Sequence, residues 1–234
     1  MKTCVGTKVK NVLHTYEILR NRQSINANGT RKKFLLELFN QKDWCKNIFQ
    51  VARQVITEDL TSIDPEYRYD LILLINGLPL VLIELKRKTK KLKDAFTQIK
   101  NYAHDFKNLF RFIEILIISN GANTQYFANQ KSYERLDNYR FNWAKFENDP
   151  IQDLSAFAND FLHPCRLAQI IARYVILHEN NKKLLIMKPH QIYAAQRLLK
   201  LAEQTNNNGY IWHTTGSGKT LNSIWGLRCF ESLA

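Results

Sequence analysis

Cysteine is scarce in this sequence, and so are proline and glycine. The four cysteines stand far apart without a CxxC pair, and the six histidines complete no metal-ligand spacing with them. We therefore expect no zinc site, and we expect free thiols in a reducing compartment rather than a disulfide framework. Five prolines and eight glycines among 234 residues are too few for long linkers or low-complexity tracts.

Long apolar segments are absent as well. The longest apolar runs, residues 71–75 and 78–83, are far too short to cross a bilayer. The first fourteen residues are basic and lack the apolar segment that a signal peptide requires. These shortages predict a cytoplasmic protein without a membrane partner.

Positive charge, by contrast, is abundant. Lysine and arginine number 34 against 21 acidic residues, which gives a formal net charge of +13. Hydrophobic residues make up 45% of the chain, enough for a packed core. The charge favours a polyanionic partner such as nucleic acid, but solvated lysine faces would give the same total, so charge alone leaves both interpretations open.

The pattern of apolar residues predicts a chain of alternating strands and helices. Its clearest element is a hairpin of two apolar strands around Asn76-Gly77, followed by a helix over 93–106. Both strands are apolar almost throughout, which indicates a sheet covered on both faces. The other predicted elements are helices at 31–40, 151–176 and 191–203, and strands at 46–56, 112–119, 124–128, 141–146 and 210–213.

The hairpin carries two acidic residues whose placement depends on its turn. Side chains alternate faces along a strand, so Glu84 and Lys86 share one face. A three-residue loop at 76–78 would set Asp70 opposite Glu84 on that face. A two-residue loop would pair Asp70 with Ile83 and separate the carboxylates. The predicted site therefore requires the three-residue loop.

Two neighbouring carboxylates on an apolar hairpin need a compensating charge. A divalent cation held by Asp70 and Glu84 would supply it, and Mg²⁺ favours such oxygen ligands. The ion would polarise a phosphoryl oxygen and activate a water, while Lys86 orients that water or stabilises charge on the phosphate. The alternative is an ordinary hairpin whose charges point into solvent. The lysine-rich segment 86–93 leaves a similar choice between a DNA-backbone contact and a solvated loop.

The spacing D-x13-E-x-K of Asp70, Glu84 and Lys86 resembles the catalytic motif of the PD-(D/E)xK nuclease superfamily. The residue before the aspartate is tyrosine where that motif has proline. Gln98 and Tyr102 lie four residues apart on one face of the next predicted helix, and they resemble the QxxxY motif of RecB-like nucleases and type I restriction enzymes. The resemblance implies that the two carboxylates bind the metal and that all five residues form the catalytic site.

A second motif, TTGSGKT at 214–220, follows a predicted strand and precedes a predicted helix, as a phosphate-binding loop does. Its glycines let backbone N–H groups surround phosphates, its lysine would reach the β and γ phosphates, and its last threonine would hold Mg²⁺. The segment resembles motif I of superfamily 2 helicases, and KPHQ upstream resembles their adenine-reading Q motif. The predicted ATP-binding residues are Gln191, Gly216, Ser217, Gly218, Lys219 and Thr220. The alternative is a glycine-rich turn that binds nothing.

A PD-(D/E)xK nuclease followed directly by a superfamily 2 motor resembles the R (restriction) subunit of type I restriction enzymes, over roughly residues 45–234. The resemblance implies an α/β fold with a mixed central sheet flanked by helices. With the polar stretch 179–183, it predicts an endonuclease domain over 1–180 and the start of a RecA-like P-loop domain over 181–234.

The same resemblance implies Mg²⁺-dependent cleavage of double-stranded DNA after ATP-driven translocation, with modification (M) and specificity (S) subunits as partners. Many nucleases of this superfamily carry another acidic residue on an early helix, for which Glu17 and Glu37 are the candidates. Only fourteen residues follow Thr220, so we expect a fragment of a longer protein that does not turn over ATP alone. Two rival functions stay open: a translocase with an inactive nuclease, and a non-enzymatic module that binds DNA or docks subunits.

Overall fold

The computed structural model describes residues 11–26, 33–58, 66–104, 109–130, 139–178, 180–204, 208–223 and 225. The strands are β1 (Gln23–Asn26), β2 (Lys33–Leu36), β3 (Phe49–Glu58), β4 (Glu66–Ile75), β5 (Leu78–Leu85), β6 (Ile115–Ser119), β7 (Thr124–Ala128), β8 (Trp143–Ala144), β9 (Pro150–Ile151), β10 (Val175–His178) and β11 (Lys183–Ile186). The α-helices are α1 (Val12–Arg20), α2 (Leu92–His104), α3 (Leu154–Asp160), α4 (Pro164–Gln169) and α5 (Pro189–Gln204).

A five-stranded sheet in the order β3-β4-β5-β6-β7 forms the centre of the fold. Strand β5 runs parallel to β6, and the other neighbouring pairs are antiparallel. A parallel pair needs a crossover, and α2 provides it between β5 and β6. The mixed α/β sheet flanked by helices that the sequence predicted is therefore confirmed.

Apolar side chains cover both faces of this sheet. On one face α2 packs its buried side chains against β4, β5, β6 and β7, in a cluster that includes Ile72, Leu82, Phe96, Ile99, Leu116 and Phe127. On the other face, the ring of Tyr126 lies 4.7 Å from that of Phe161 and 6.0 Å from that of Trp143. This two-sided packing explains why the central strands contain almost no polar residues.

The β4–β5 hairpin reaches the expected register by another route. Ile75 pairs with Leu78, so the loop has two residues, Asn76 and Gly77. Both lie in the left-handed region, at φ 52° and 78°. The predicted three-residue loop is therefore wrong. A β-bulge then shifts the pairing by one residue between Leu73 and Leu74. The bulge restores the alignment that a longer loop would have given.

Three further predictions differ from the structure. Residues 33–36, expected in a helix, form β2 and pair with β1. In the part of the chain that the structure describes, residues 210–213 have no strand partner and are irregular, because a strand forms only where a neighbour accepts its hydrogen bonds. Cys45 and Cys165 are joined by a disulfide rather than being free thiols. The two cysteines are 120 positions apart, so the sequence carries no local signal of that contact.

The chain divides into two compact units, Met1–Trp143 with Ile151–Ile186, and Ala144–Pro150 with Met187–Ala234. The predicted domain division at residue 180 falls in the turn between β10 and β11, which pair with each other in the first unit. Helix α5 matches the helix predicted at 191–203. Across the described ranges, we find no helix with the length and apolar character needed to span a membrane.

Candidate active site

The two carboxylates of the hairpin lie beside each other, Asp70 in the middle of β4 and Glu84 near the end of β5. Leu71 pairs with Ile83, so the next position along each strand places Asp70 opposite Glu84. The Oδ2 atom of Asp70 accepts a hydrogen bond from the backbone N–H of Leu85 at 2.9 Å. The bulge in the hairpin thus brings the predicted pair of acids onto one side of the sheet.

Lys86 joins this pair from the end of β5. Its Nζ donates a 2.8 Å hydrogen bond to Oε1 of Glu84 and a second hydrogen bond to Oε1 of Gln98. The side chain of Glu84 is fully buried, whereas that of Lys86 is 22% exposed. The ammonium group therefore lies between a buried carboxylate and the solvent side of the site.

Helix α2 supplies the other two predicted residues. Ala95 and Ile99 anchor the helix in the core, and the i, i+4 spacing turns Gln98 and Tyr102 toward β5. Gln98 Nε2 donates to the hydroxyl of Tyr102, which lies 3.3 Å from Oε2 of Glu84. The same hydroxyl donates to the backbone carbonyl of Arg68 at 2.9 Å. Hydrogen bonds thus join Glu84, Lys86, Gln98 and Tyr102, and Asp70 stands opposite Glu84, so the five residues predicted from the motifs form one group, the carboxylate network.

Burial dominates the acid–base properties of this network. The pKa of Glu84 is raised from 4.5 to about 7, chiefly by burial and also by the neighbouring Asp70, while the hydrogen bond and charge of Lys86 oppose the rise. Burial, followed by the charge of Glu84, also raises the pKa of Tyr102. Tyr102 therefore keeps its proton at neutral pH and acts as a hydrogen-bond donor.

The donor set fits a hard divalent cation with an incomplete protein shell. Asp70 and Glu84 offer carboxylate oxygens, and burial together with the charge of Asp70 disfavours a second negative charge on Glu84 in the absence of a cation. Among the residues that the structure describes, no group of three or more histidine, cysteine or acidic side chains is arranged to hold a metal. Two carboxylates with water or phosphate oxygens in the remaining positions is an arrangement that Mg²⁺ adopts and zinc disfavours.

The basic segment starts within the site and runs to the first turn of α2. Beyond Lys86 it carries five basic side chains that are exposed, namely Arg87, Lys88, Lys90, Lys91 and Lys93. Its backbone forms a turn between Arg87 and Lys90, and Asn120 Nδ2 donates a 2.8 Å hydrogen bond to the carbonyl of Lys90. The segment is therefore a fixed, positively charged rim beside the carboxylates.

Gln54 contacts the site but was not predicted from the sequence. It lies in β3, next to β4, and its Nε2 atom is 3.3 Å from Oδ1 of Asp70. The contact follows from the β3–β4 register, in which Gln54 stands opposite Asp70, and the residue pattern does not reveal that register. The two candidates for an additional acid lie elsewhere: Glu17 is on the exposed side of α1, and Glu37 faces Arg22 at 3.8 Å.

The phosphate-binding motif lies in the second unit. Gly216 and Gly218 have φ angles of 77° and 89°, which explains the need for glycine at both positions. Gln191 Nε2 donates to the carbonyl of Ser217 at 3.0 Å, and Gln191 Oε1 accepts from the N–H of Lys188 at 2.8 Å. The predicted Q-motif residue thus contacts the predicted phosphate loop.

The remaining residues of the motif begin a helix. Residues 219–223 are helical, and the side chains of Lys219 and Thr220 are exposed at its first turn. A cavity of about 670 Å³ lies beside Ser217 and is lined by aromatic, histidine and arginine side chains, including Tyr193 and Arg197. This arrangement offers N–H groups, a lysine and an aromatic-lined cavity within one unit.

Sequence comparison identifies the relatives of this chain. The family model "Type I restriction enzyme R protein N terminus" matches residues 6–135, and the "SWI2/SNF2 ATPase" model matches residues 190–231. The endonuclease subunit of the type I restriction enzyme SauCOLORF180P from Staphylococcus aureus is 44% identical over 92% of this chain and 23% of its own length. The corresponding subunit of EcoprrI from Escherichia coli is 36% identical over 66% of this chain and 50% of its own length.

Similarity extends to an archaeon. The endonuclease subunit of the putative type I enzyme MjaIXP from Methanocaldococcus jannaschii is 26% identical over 90% of this chain and 23% of its own length. The chain spans about a quarter of the length of the Staphylococcus aureus relative. The first family model covers more than half of the chain and includes all five residues of the carboxylate network. This chain belongs to the family of type I restriction enzyme R proteins.

Proposed function

We propose that this chain is the Mg²⁺-dependent DNA endonuclease part of a type I restriction subunit. The observation that carries the proposal is the continuous network of Asp70, Glu84, Lys86, Gln98 and Tyr102. Two acids, a lysine and a polar helix face meet at one end of a buried sheet, next to an exposed basic segment. Phosphodiester hydrolysis uses these groups together, whereas a purely structural hairpin has no need to bury Glu84.

Each residue then has a distinct role. Asp70 and Glu84 would hold the metal, which when bound polarises a phosphoryl oxygen and lowers the pKa of a water. Gln98 holds the ammonium group of Lys86 toward the site, where it orients the attacking water or stabilises negative charge on the phosphate. Tyr102 donates its hydrogen toward the Arg68 carbonyl and the Glu84 carboxylate, which fixes their spacing.

The exposed basic segment would hold the backbone of double-stranded DNA. Its five charged side chains beyond Lys86 can neutralise phosphates without reading bases. Contacts of this kind position a duplex in the site and make binding depend strongly on salt. In this proposal, the choice of DNA sequence belongs to the specificity subunit.

The second unit would contribute to an ATP-driven motor of the complete subunit. The loop around Gly216 and Gly218, the exposed Lys219 and Thr220, and the match to the SWI2/SNF2 ATPase model support this role. The complete subunit would work in the cytoplasm with modification and specificity subunits, and it would cut after translocating DNA. This chain covers 23% of the length of its Staphylococcus aureus relative, so most of such a subunit lies outside it.

The test is plasmid cleavage by the complete restriction subunit assembled with modification and specificity subunits, in Mg²⁺ and ATP. Asp70→Ala removes a metal ligand, and Lys86→Ala removes the charge beside the phosphate. We expect each to reduce cleavage by about a hundredfold or more while ATP hydrolysis continues at the wild-type rate. Normal cutting by both variants would contradict the site assignment.

The wild-type complex separates the rival functions in the same assay. A translocase with an inactive nuclease would hydrolyse ATP on DNA and leave the plasmid intact. A DNA-binding or subunit-docking module would do neither. The network contains both acids and the lysine of the nuclease motif, and this favours the nuclease over both rival functions.

A further inference from the structure

A backbone irregularity in β3 lies directly beside the carboxylate pair. Arg53 pairs with Leu71 and Val55 pairs with Tyr69 in one unbroken register, so Gln54 stands directly opposite Asp70 on the neighbouring strand. Its φ angle is +51°, in the left-handed region that side chains other than glycine and asparagine rarely adopt. Such a conformation costs about 1–2 kcal/mol and persists only where the surrounding structure imposes it.

The side-chain amide of Gln54 faces Asp70. Gln54 Nε2 donates to Oδ1 of Asp70 at 3.3 Å, and Gln54 Oε1 accepts a hydrogen bond from Nε of Arg68. Because Arg68 donates to the amide oxygen, the NH₂ group must face the carboxylate. The orientation of the amide is thus determined by a neighbouring side chain of β4.

Both oxygens of Asp70 are therefore held by donors. The backbone N–H of Leu85 donates to Oδ2, and the side chain of Gln54 donates to Oδ1. Two donors on opposite oxygens fix the plane of a carboxylate and leave each oxygen a further lone pair for a cation. Carboxylates that bind metals are held by hydrogen bonds of this kind, and loss of such a partner weakens metal binding by about 10–100-fold.

We propose that Gln54 is a positioning residue, whose left-handed backbone conformation serves to aim its amide at the metal ligand Asp70. This inference rests on the proposed function, because it assumes that Asp70 binds the cation. It explains why a backbone conformation suited to glycine is occupied by glutamine. In the proposed reaction Gln54 acts through Asp70 and does not touch the DNA.

The test measures Mn²⁺ binding to the 234-residue chain by the electron paramagnetic resonance signal of the free ion. Gln54→Gly removes the amide and suits the φ of +51°, so its melting temperature should equal or exceed that of the wild type. We expect its Kd for Mn²⁺ to rise about tenfold. Gln54→Met keeps a side chain of similar length without the amide and should show the same weakening.

A matched control is Lys182→Gly, which replaces an exposed left-handed residue at φ 47° in the turn between β10 and β11. It should bind Mn²⁺ as the wild type does. If either Gln54 variant binds Mn²⁺ with the wild-type Kd, the role of the amide is disproved.

Asp70→Asn distinguishes this failure from failure of the proposed function. If Asp70→Asn binds Mn²⁺ weakly while both Gln54 variants bind normally, only the role of Gln54 is wrong. If Asp70→Asn itself binds Mn²⁺ as tightly as the wild type, the metal site and the inference that rests on it both fail.

Discussion

At the scale of one residue, Glu84 shows how its surroundings change the acidity of a carboxyl group in this site. The side chain is fully buried beside Asp70, and this environment favours its neutral form, with a pKa of about 7. Lys86 offsets only part of that effect. A bound cation would favour the ionised carboxylate, so cation binding would release the proton of Glu84.

The raised pKa of Glu84 predicts how the free energy of unfolding depends on pH. Because the pKa of Glu84 is higher in the folded chain than its ordinary 4.5, the associated stability is present below pH 4.5 and is lost as pH rises through about 7. Glu84→Gln keeps a neutral side chain and should avoid this loss. In EDTA, we expect its free energy of unfolding to exceed that of the wild type by up to about 3 kcal/mol above pH 7.

Urea unfolding at a series of pH values between 4 and 8 provides the measurement. The difference between Glu84→Gln and the wild type should be smallest near pH 4 and should grow through neutrality. Curves that stay parallel over the whole range would mean that Glu84 titrates normally. In the same variants, Mn²⁺ binding should be strong for the wild type at pH 8 and weak for Glu84→Gln at every pH.

Individual site residues differ in how far the sequence could predict them. Asp70, Glu84, Lys86, Gln98 and Tyr102 follow a known spacing, and alternation along strands and helices places them on common faces. Gln54 has no such spacing, because the pairing of a separate strand, β3, with β4 brings it opposite Asp70. Alternation along each strand does not determine the register between β3 and β4, so this contact was not inferred from the sequence.

Among the structural elements, the β4–β5 hairpin shows how an incorrect loop prediction still gave the observed alignment of Asp70 with Glu84. The predicted loop was one residue too long, and the bulge contributes that residue on β5 instead. Asn76-Gly77 is a strong signal for a two-residue turn, so local turn chemistry was the better guide there. The bulge itself depends on how the strands pack and cannot be read from the residues.

The turn residue Asn76 also fastens neighbouring segments to the hairpin. Its Oδ1 accepts from the N–H of Ile48 at 2.8 Å, and its Nδ2 donates to the Leu38 carbonyl at 3.0 Å and to Oδ1 of Asn47 at 2.8 Å. Asn47 is buried and in turn holds the backbone at Asn40. A single amide thus links the hairpin to the chain that precedes β3.

Asn76→Ala and Asn76→Gly separate these contacts from the backbone conformation. Alanine loses three hydrogen bonds and must adopt a φ of 52°, so we expect about 2–3 kcal/mol of destabilisation. Glycine loses the same contacts but suits the backbone, and should be about 1 kcal/mol more stable than alanine. Urea denaturation measures both values. If the two variants are equally stable, the left-handed strain at Asn76 is negligible.

At the scale of the whole molecule, the linear sequence does not mark the two units in a simple order. Residues 144–150 belong to the second unit although residues on both sides of them belong to the first. A boundary predicted from one polar stretch assumes that the chain passes from the first unit to the second only once, so it misses residues 144–150. The disulfide between Cys45 and Cys165 is non-local in the same sense, since it joins positions 120 residues apart.

The separation into units predicts that a mutation can abolish ATP hydrolysis without affecting metal binding at the carboxylates. Lys219 belongs to the second unit and Asp70 with Glu84 to the first. Lys219→Ala removes the charge that would reach the β and γ phosphates, so the assembled restriction complex should lose ATP hydrolysis and, with it, plasmid cleavage. In the 234-residue chain, the same substitution should leave the Kd for Mn²⁺ unchanged because the carboxylate network is intact. Plasmid cleavage by the Lys219→Ala complex without ATP hydrolysis would show that the nuclease acts independently of the motor, and a weakened Mn²⁺ affinity would show that the two units are not separable.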